Sequence, residues 1–368
     1  MIKVLVVDDS PLVRKLFGRV FAAEPDVTVD FARTGFEAIE QLEQFQPDVI
    51  TLDVQMPQMD GLECLDRIML QRPCPVVMVS TITEQGAIAT LDALRLGAVD
   101  FVTKPSGAVS LKMDEFAPIL IAKVRAAVAA KVPASRRLKD RVQFRASGGL
   151  VIRDRDLAVS RVAPESPVEA AQGEGLVLVG ASTGGPPALE TLLTSLPSTF
   201  PWPILVAQHM PATFTGPLSK RLDGICALNV IEVRRPTILR PGTVYIGQGD
   251  ADIIVSQRPS GLIAMASPAK LDYPWHPSAD RLVRTALDHV PAELLIGVLL
   301  TGMGNDGARA MADLKFRGGR TIAESEDTAV VWGMPGELVR AGGATWALAL
   351  PLIANRLQRL VPARAARS

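Results

Sequence analysis

The sequence predicts an α/β protein with two domains, each built around a mostly parallel sheet. Its 368 residues exceed one ordinary hydrophobic core, because a single domain typically holds about 100–200 residues. Short apolar segments alternate with helix-like segments in the first 105 residues and again after residue 175, which is typical of parallel sheets covered by helices. Hydrophobic residues make up 48% and charged residues 21% of the chain, which excludes a disordered or fibrous protein.

The first domain is predicted to cover residues 1–125 and to contain five strands. Its strands are apolar at consecutive positions, as strands buried on both faces require. The predicted strands are Val4–Val7, Thr28–Phe31, Val49–Leu52, Val76–Val79 and Phe101–Val102. The predicted helices are Pro11–Ala23, Gly35–Phe45, Leu62–Leu70, Ile88–Leu96 and a closing helix near Phe116–Ala130.

The segment 126–173 is predicted to be a basic interdomain linker. It loses hydrophobic periodicity and is rich in Arg, Pro and Ser. The net charge is −6 for residues 1–125, +3 for residues 126–175 and +3 for the remainder, and the whole chain is neutral. The acidic first domain argues against nucleic acid as a direct partner.

The second domain is predicted to cover residues 174–368 and to repeat the strand–helix alternation. Its predicted strands are Leu176–Val179, Ile204–Ala207, Leu294–Leu300, Thr321–Ala323 and Trp346–Leu348, and its predicted helices include Ala188–Leu196 and Gly307–Phe316. The segments Val244–Ile246 and Ile253–Val255, separated by GQGDAD, indicate a hairpin appended to this sheet.

The expected location is the cytoplasm. No apolar run approaches the roughly 18 residues needed to cross a bilayer, so membrane insertion is not expected. Asp8 and Asp9 interrupt the N-terminal apolar run before a signal-peptide core forms. The three cysteines are odd in number and lack C-x-x-C spacing, which argues against a disulfide framework or a zinc site.

Polar side chains follow the strands of the first predicted sheet where those strands end. They are Asp8, Asp9, Asp53, Ser80 and Lys104. Ligands bind beyond the carboxyl ends of parallel strands, and clustered carboxylates favour Mg²⁺ between them. A lysine and a hydroxyl beside them suit a phosphoryl group. Any one of these residues alone is better explained as an ordinary polar strand end.

Together, DD, D-x-x-M-P-x-M-D-G, S-T and K-P resemble the receiver domain of two-component response regulators over residues 1–106. The resemblance implies a flavodoxin-like, five-stranded parallel fold, Mg²⁺ as cofactor and a chemotaxis histidine kinase as phosphoryl donor. The roles it implies are phosphorylation for Asp53, Mg²⁺ binding for Asp8, Asp9 and Asp53, phosphoryl contact for Ser80 and Lys104, and a switching aromatic side chain for Phe101.

A second candidate site begins at Gly180-Ala181-Ser182-Thr183-Gly184. This segment matches the G-x-S-x-G nucleophile elbow at a predicted strand-to-helix turn. A serine nucleophile needs a base, and His209 follows the neighbouring strand. We expect ordinary structural roles for the two other histidines, His276 and His289, most strongly for His289.

Asp306, in the glycine-rich turn TGMGNDGA, is the candidate carboxylate that orients the base. Two alternatives remain at this point. Asp306 is equally an N-cap candidate for the following helix, and GASTGG is also compatible with a phosphate-binding turn, although it lacks the standard spacings. The order Ser182, His209, Asp306 differs from that of ordinary α/β-hydrolases.

The segments GASTGGP, QHMP-x-x-F-T, RPGTVYI, HPSAD, TGMGNDGA and GMP resemble the catalytic domain of the chemotaxis protein-glutamate methylesterase family, CheB. The resemblance implies Ser182 as nucleophile, His209 as general base, Asp306 as orienting carboxylate, and backbone N–H groups of Thr183 and Met303 as oxyanion donors. It also implies methyl-accepting chemoreceptors as substrate, deamidation of receptor glutamines as a second activity, and no cofactor in this domain.

Three other classes compete with an esterase regulated by phosphorylation. They are a response regulator whose second domain only binds a partner, a transcription factor, and a metabolic esterase. A transcription factor is disfavoured because residues 176–368 lack a compact basic helix-turn-helix pattern. A metabolic esterase has no evident use for a phosphorylatable receiver.

Overall fold

A computed structural model describes residues 1–104, 113–130 and 175–361. It contains two parallel sheets and one smaller antiparallel sheet, and it confirms the predicted α/β class. The predicted linker lies almost entirely outside the described residues, as does Pro105, so the domain boundaries stay predictions. Within the described ranges no helix combines the length and apolar character needed to span a bilayer.

The first sheet has five parallel strands in the order β2-β1-β3-β4-β5. Its strands are β1 (Ile2–Val7), β2 (Val27–Ala32), β3 (Val49–Asp53), β4 (Val76–Ser80) and β5 (Asp100–Thr103). Its helices are α1 (Pro11–Ala22), α2 (Gly35–Gln44), α3 (Gly61–Gln71), α4 (Glu84–Leu96) and α5 (Met113–Val128).

Local sequence signals start and end these helices. The side chains of Thr34, Asp60 and Thr83 each accept a hydrogen bond from the backbone N–H three residues later, as N-caps do. Helix α4 ends at Gly97, whose φ of 118° is in the left-handed region that glycine tolerates. Each helix returns the chain to the start of the next strand, so all five strands run parallel. Their carboxyl ends therefore meet at one edge of the sheet.

The second sheet has seven strands in the order β15-β14-β13-β6-β7-β10-β8, and every pair is parallel. Its strands are β6 (Leu176–Ala181), β7 (Ile204–Gln208), β8 (Asn229–Val233), β10 (Thr243–Gly247), β13 (Leu295–Leu299), β14 (Arg320–Glu324) and β15 (Trp346–Leu348). The helices are α6 (Gly185–Thr194), α7 (Ala212–Ile225), α8 (Ala279–Leu287), a 3₁₀ turn (Ala292–Leu294), α9 (Ala308–Phe316), α10 (Met334–Arg340) and α11 (Leu350–Leu360).

The antiparallel sheet corrects one strand assignment. A hairpin is present, but it joins β11 (Ala251–Arg258) to β12 (Gly261–Pro268), and β12 pairs further with β9 (Thr237–Ile238). The predicted pairing of Val244–Ile246 with Ile253–Val255 is wrong. Val244–Ile246 lies in β10, a buried parallel strand between β7 and β8. Its consecutive apolar residues are the signal for a strand covered on both faces.

The strand order of the second sheet places a crevice where chemistry is expected. From β6 the chain proceeds first towards β7, and it later returns to the other side of β6 through β13. Neighbouring strands that lead in opposite directions leave a crevice at their carboxyl ends, where ligands bind in open α/β sheets. Ser182 follows β6, His209 follows β7 and the turn containing Asp306 follows β13.

Candidate active site

Ser182 lies in a tight turn between β6 and α6. Its backbone N–H donates to Thr301 O at 3.0 Å, and its carbonyl accepts from the N–H of Gly185 at 2.8 Å. Gly184 has a φ of 75°, a conformation that glycine adopts without strain, and a Cβ there would approach Val330 to within 2.7 Å. The turn therefore places the serine at the carboxyl edge of the sheet, beside the N-terminus of α6.

His209 and Asp306 form a direct pair. His209 Nε2 lies 2.7 Å from Asp306 Oδ2, and both side chains are nearly buried. Because a carboxylate only accepts hydrogen bonds, the neutral imidazole carries its proton on Nε2 and leaves Nδ1 unprotonated. Nδ1 is buried and has no hydrogen-bond partner among the described residues 1–104, 113–130 and 175–361. The hydroxyl of Ser182 is therefore not hydrogen-bonded to it in this structure. His209 directly follows β7, and β7 pairs with β6, the strand that precedes Ser182. A general base needs such an unprotonated nitrogen near the nucleophile.

Asp306 is held by the N-terminus of helix α8. Its carboxylate accepts from Ser278 Oγ at 2.9 Å, from Ala279 N at 2.6 Å and from Asp280 N at 3.0 Å. Burial acts to raise the pKa of Asp306, but the contacts with His209 and these backbone groups outweigh it and lower the pKa below its ordinary value. The N-cap of the following helix is Gly307, so the N-cap alternative for Asp306 is wrong. The carboxylate stays charged and fixed.

Two backbone N–H groups near Ser182 are free to stabilise an oxyanion. The N–H groups of Thr183 and Met303 donate to no acceptor in the described part of the chain. The loop carrying Met303 is anchored just before Met303, since Gly302 N donates to Val331 O and Thr301 Oγ1 donates to Thr183 O. Donors fixed before the reaction are the arrangement that stabilises developing negative charge.

Glu324 is a buried carboxylate beneath this loop, and the sequence analysis did not single it out. It is fully buried at the end of β14, and it accepts from Thr301 N at 2.8 Å and from Thr328 Oγ1 at 3.0 Å. Burial raises its pKa to about 7, although these two hydrogen bonds act to lower it. Glu324 therefore ties the loop of Met303 to β14 through a group that titrates near neutral pH.

Glu324 is expected to make stability depend on pH. Because its folded pKa of about 7 lies above the ordinary value of 4.5, its contribution is fully present below pH 4.5 and is lost as pH rises through 7. The free energy of unfolding of the wild type, relative to Glu324→Gln, should fall by about 3 kcal/mol over that window. All four tryptophans follow residue 200, so denaturant titrations followed by tryptophan fluorescence report this domain.

Asp327→Asn, which changes an exposed carboxyl in the turn after β14, is the matched control and should leave the pH dependence unchanged. Equal pH slopes for the wild type and Glu324→Gln would show that Glu324 is already ionised at pH 5.

The other two histidines lie outside this arrangement. His276 Nδ1 lies 2.9 Å from the buried Asp252, which also accepts from Ser278 N, so His276 belongs to the network behind Asp306. His289 lies just after α8, where its N–H donates to Ala286 O. Trp275 lies parallel to the His209 ring, with centroids 6.0 Å apart, and lines the site next to the base.

A second cluster lies at the carboxyl edge of the first sheet. Carboxylate oxygens of Asp8, Asp9 and Asp53 lie within 4.8 Å of one another. Lys104 Nζ lies 2.7 Å from Asp53 Oδ2 and 2.9 Å from Asp8 Oδ2. Burial, reinforced by the charge of Asp8, raises the pKa of Asp53 to about 6, although Lys104 acts to lower it. Carboxylates held this close repel each other unless a cation lies between them, so the oxygen-rich cluster fits Mg²⁺.

Ser80 is oriented away from this cluster. Its buried hydroxyl donates to Gly86 O at 3.1 Å, in the first turn of α4. A contact with a phosphoryl group on Asp53 requires the hydroxyl to rotate away from α4.

The two sheets meet through α4 and β5 on one side and α6 and α7 on the other. Thr183 Oγ1 donates to Asp100 Oδ2, and Asp100 Oδ1 accepts from Lys123 Nζ at 2.7 Å. Phe101 stacks on Phe214 with ring centroids 4.4 Å apart, and both rings are buried. The first domain therefore contacts the residue immediately after Ser182.

Polar contacts continue this interface at its edge. Arg221 Nη1 lies 2.7 Å from Asp92 Oδ1, whereas Lys220 and Glu84 form an exposed pair at 3.2 Å. Exposed pairs contribute little to stability, so the buried aromatic stack is the stronger of these contacts.

Fold and site together define a class of protein, in which a response-regulator receiver is joined to an α/β domain with serine, histidine and aspartate at its strand ends. Residues 4–113 match the response regulator receiver domain, and residues 177–357 match the CheB methylesterase domain. The chain belongs to the CheB methylesterase family.

Two curated relatives support this membership over nearly the full chain. A protein-glutamate methylesterase/protein-glutamine glutaminase 2 of Rhodopseudomonas palustris (strain BisB18) is 57% identical and covers 96% of each chain. A protein-glutamate methylesterase/protein-glutamine glutaminase 3 of Rhodospirillum rubrum is 48% identical. The alignment covers 97% of this chain and 95% of that relative. The crystal structure of the Thermotoga maritima CheB methylesterase catalytic domain is 35% identical, with a TM-score of 0.50, and covers 51% of this chain and 100% of its own.

The structure adds four polar side chains that the sequence analysis did not single out. Ser278 binds Asp306, Asp252 binds Ser278 and His276, Glu324 anchors the loop of Met303, and Gln208 precedes His209. Three of them carry a local signal. Gln208 and Glu324 each end a buried strand where an apolar residue is expected, and Ser278 is the N-cap of α8, where it accepts from Arg281 N. The contact of Ser278 with Asp306 and the contacts of Asp252 join residues that are distant in sequence.

Proposed function

We propose that this chain hydrolyses glutamate γ-methyl esters on methyl-accepting chemoreceptors, releasing methanol, and deamidates receptor glutamines, as part of chemotactic adaptation. The relatives are named for both activities. The observation that carries the chemistry is the His209–Asp306 pair, whose free Nδ1 lies at the same sheet edge as Ser182. The substrate and a chemotaxis histidine kinase as phosphoryl donor belong to this proposal.

In the proposed reaction Ser182 Oγ attacks the ester carbonyl carbon while His209 Nδ1 takes the hydroxyl proton. The carbonyl oxygen becomes an oxyanion that accepts hydrogen bonds from Thr183 N and Met303 N. The bond to the methoxy group then breaks, and methanol leaves with the proton from His209. Water attacks the resulting ester of Ser182, gives its proton to His209, and releases glutamate as the serine regains its proton. With glutamine the leaving group is ammonia.

The proposed division of the chain is a receiver at residues 1–125, a linker at 126–173 and a catalytic domain at 174–368. In the receiver, Asp53 attacks the phosphorus of a phosphohistidine, and the phosphorus–nitrogen bond breaks as the acyl phosphate forms. Mg²⁺ supplies charge neutralisation for that transfer when it is bound by Asp8, Asp9 and Asp53. Lys104 already lies at hydrogen-bonding distance from the Asp53 carboxylate.

The receiver is proposed to block the catalytic domain until Asp53 is phosphorylated. Asp100 contacts the side chain of Thr183, and Phe101 is buried against Phe214. A receptor helix cannot occupy the space beside Thr183 while these contacts persist. Asp53 lies at the carboxyl end of β3, whereas Asp100 and Phe101 lie at the start of β5. Phosphorylation of Asp53 acts by favouring a receiver conformation in which the contacts of Asp100 and Phe101 with the catalytic domain are released.

Phe101→Ala is expected to raise methanol release by the unphosphorylated chain about tenfold, because it removes a stacked aromatic pair and its burial. The measurement is methanol release from methylated receptor membranes, with and without a small phosphodonor and Mg²⁺. The fully phosphorylated rate should be the same for the wild type and the variant.

Lys220→Ala, which removes the exposed ion pair of the same interface, is the matched control and should leave the basal rate unchanged. An unchanged basal rate for Phe101→Ala would contradict occlusion through this contact. No methanol release from any form would contradict the proposed function itself.

A further inference from the structure

Gln208 is a buried side chain to which the proposed reaction gives no role. It is the last residue of β7, it is 1% exposed, and it pairs in register with Ala181 at the end of β6. Its single amide nitrogen donates to two backbone carbonyls, Ser182 O at 3.0 Å and His209 O at 3.2 Å. One side chain therefore connects the backbone of the candidate nucleophile to the backbone of the candidate base.

The surroundings fix which way the carboxamide faces. Turning it over would place its oxygen against two carbonyl oxygens and its N–H groups against the N-terminus of α6, the positive end of that helix. As it stands, the oxygen of Gln208 is buried, faces α6 and accepts no hydrogen bond in the described part of the chain. A glutamate here would repel the two carbonyls, and a lysine would oppose the helix dipole. Among side chains of this length, a carboxamide alone suits both contacts.

Gly185, the first residue of α6, provides the space for this side chain. A Cβ at Gly185 would lie 2.0 Å from Gln208 Oε1 and 3.0 Å from the Cβ of Ala181. The φ of Gly185 is not in the left-handed region, so alanine would otherwise be favourable at this helical position. The space is therefore needed by Gln208 and not by the backbone of Gly185.

We propose that Gln208 is a positioning residue that holds Ser182 and His209 at a fixed separation by binding both of their backbone carbonyls. This inference rests on the proposed methylesterase function. Its consequence is that the distance between the serine hydroxyl and the imidazole depends on a hydrogen-bond donor at position 208. The substrate contacts Ser182 and not Gln208, so loss of the donor lowers kcat and leaves KM unchanged.

The first test compares Gln208→Glu and Gln208→Met with the wild type in the full chain, activated with a small phosphodonor and Mg²⁺. Methanol release from methylated receptor membranes is measured between pH 6 and pH 9. We expect kcat of both variants to fall by about 10- to 100-fold at pH 8, since two hydrogen bonds are lost. The deficit of Gln208→Glu should shrink towards pH 6, because a protonated carboxyl donates a hydrogen bond again, whereas that of Gln208→Met should not.

Gln358→Glu is the matched control, because Gln358 also donates to a backbone carbonyl, that of Ser195, but lies on α11 far along the chain from the site. It should match the wild type at every pH. Thermal unfolding followed by tryptophan fluorescence identifies any variant that fails to fold, and such a variant is replaced in the comparison by Gln208→Asn, which keeps the amide but shortens its reach.

The second test uses Gly185→Ala, which displaces the Gln208 side chain without changing it. Alone it should lower kcat by about 10-fold or more, because displacement breaks both contacts. In the double variant with Gln208→Ala the overlap with Oε1 disappears and only the 3.0 Å approach to the Cβ of Ala181 remains, so Gly185→Ala should cost clearly less than it does in the wild type.

Wild-type kcat in both Gln208 variants, or a pH-independent deficit in Gln208→Glu with altered KM, would overturn the positioning role. Strictly multiplicative losses in the double variant would also overturn it. If the wild type itself released no methanol, that result would contradict the proposed methylesterase function. Failure of the positioning role is different, because it requires an active wild type and variants of Gln208 that keep its rate.

Discussion

Replacing Ser182 with alanine is expected to lower methanol release from methylated receptors by about 10⁶-fold, leaving only the residual rate that the oxyanion donors and substrate binding support without a nucleophile. The alanine lacks the hydroxyl oxygen that attacks the ester carbonyl in the proposed reaction. Ser182 is partly exposed and its side chain makes no hydrogen bond in the described residues, so the variant should fold with an unchanged melting temperature. The measurement is methanol release by phosphorylated full chain at saturating substrate.

Ser195→Ala is the matched control, because Ser195 lies at the opposite end of α6, where its hydroxyl donates to Thr191 O. It should retain wild-type turnover. Turnover by Ser182→Ala within about 100-fold of the wild-type rate would reject a serine nucleophile at this position. A fall in turnover accompanied by a lower melting temperature would instead indicate that the substitution disturbs the β6–α6 turn.

Asp306→Asn is expected to lower kcat by about 10⁴-fold, the second largest effect. The carboxylate now accepts from His209 Nε2, which leaves Nδ1 unprotonated. An asparagine that turns its amide nitrogen towards Nε2 donates to it, so the ring proton moves to Nδ1. Nδ1, the nitrogen that the proposed reaction uses as the base, then has no lone pair for the serine proton.

The N-terminus of α8 makes any asparagine at position 306 a poor replacement. Oδ2 of Asp306 accepts from both His209 Nε2 and Ala279 N, and Oδ1 accepts from Asp280 N and Ser278 Oγ, so an amide nitrogen in either place leaves a backbone N–H without an acceptor. Asp313→Asn, an exposed carboxyl on α9, is the control and should leave kcat unchanged. A loss of less than tenfold for Asp306→Asn would show that the tautomer of His209 does not depend on Asp306.

The sheets of both domains were predictable from sequence because their strands are buried on both faces. Consecutive apolar residues in Val4–Val7 and Leu176–Val179 mark such strands without reference to any partner. The hairpin was assigned to the wrong pair of strands because β10 is equally apolar, and only its neighbours β7 and β8 show that it is parallel. Which strand pairs with which is decided by tertiary packing, and short apolar segments do not encode it.

The candidate catalytic residues were predictable for a related reason. Residues that directly follow parallel strands meet at one edge, so Ser182, His209 and Asp306 could be brought together from their positions in the chain alone. The groups that hold them could not be predicted. The helix that binds Asp306 begins 27 residues earlier in the chain, at Ala279, and Gln208 acts through backbone carbonyls that have no sequence signature.

The most direct test of the central claim is covalent labelling of the full chain with a serine-directed phosphonate, followed by mass spectrometry of the digested protein. A single adduct is expected on Ser182, absent from Ser182→Ala, slowed in Asp306→Asn and accelerated by phosphorylation of Asp53. An adduct on any other residue, or continued methanol release by chain whose Ser182 is fully labelled, would contradict Ser182 as the nucleophile of a receptor methylesterase.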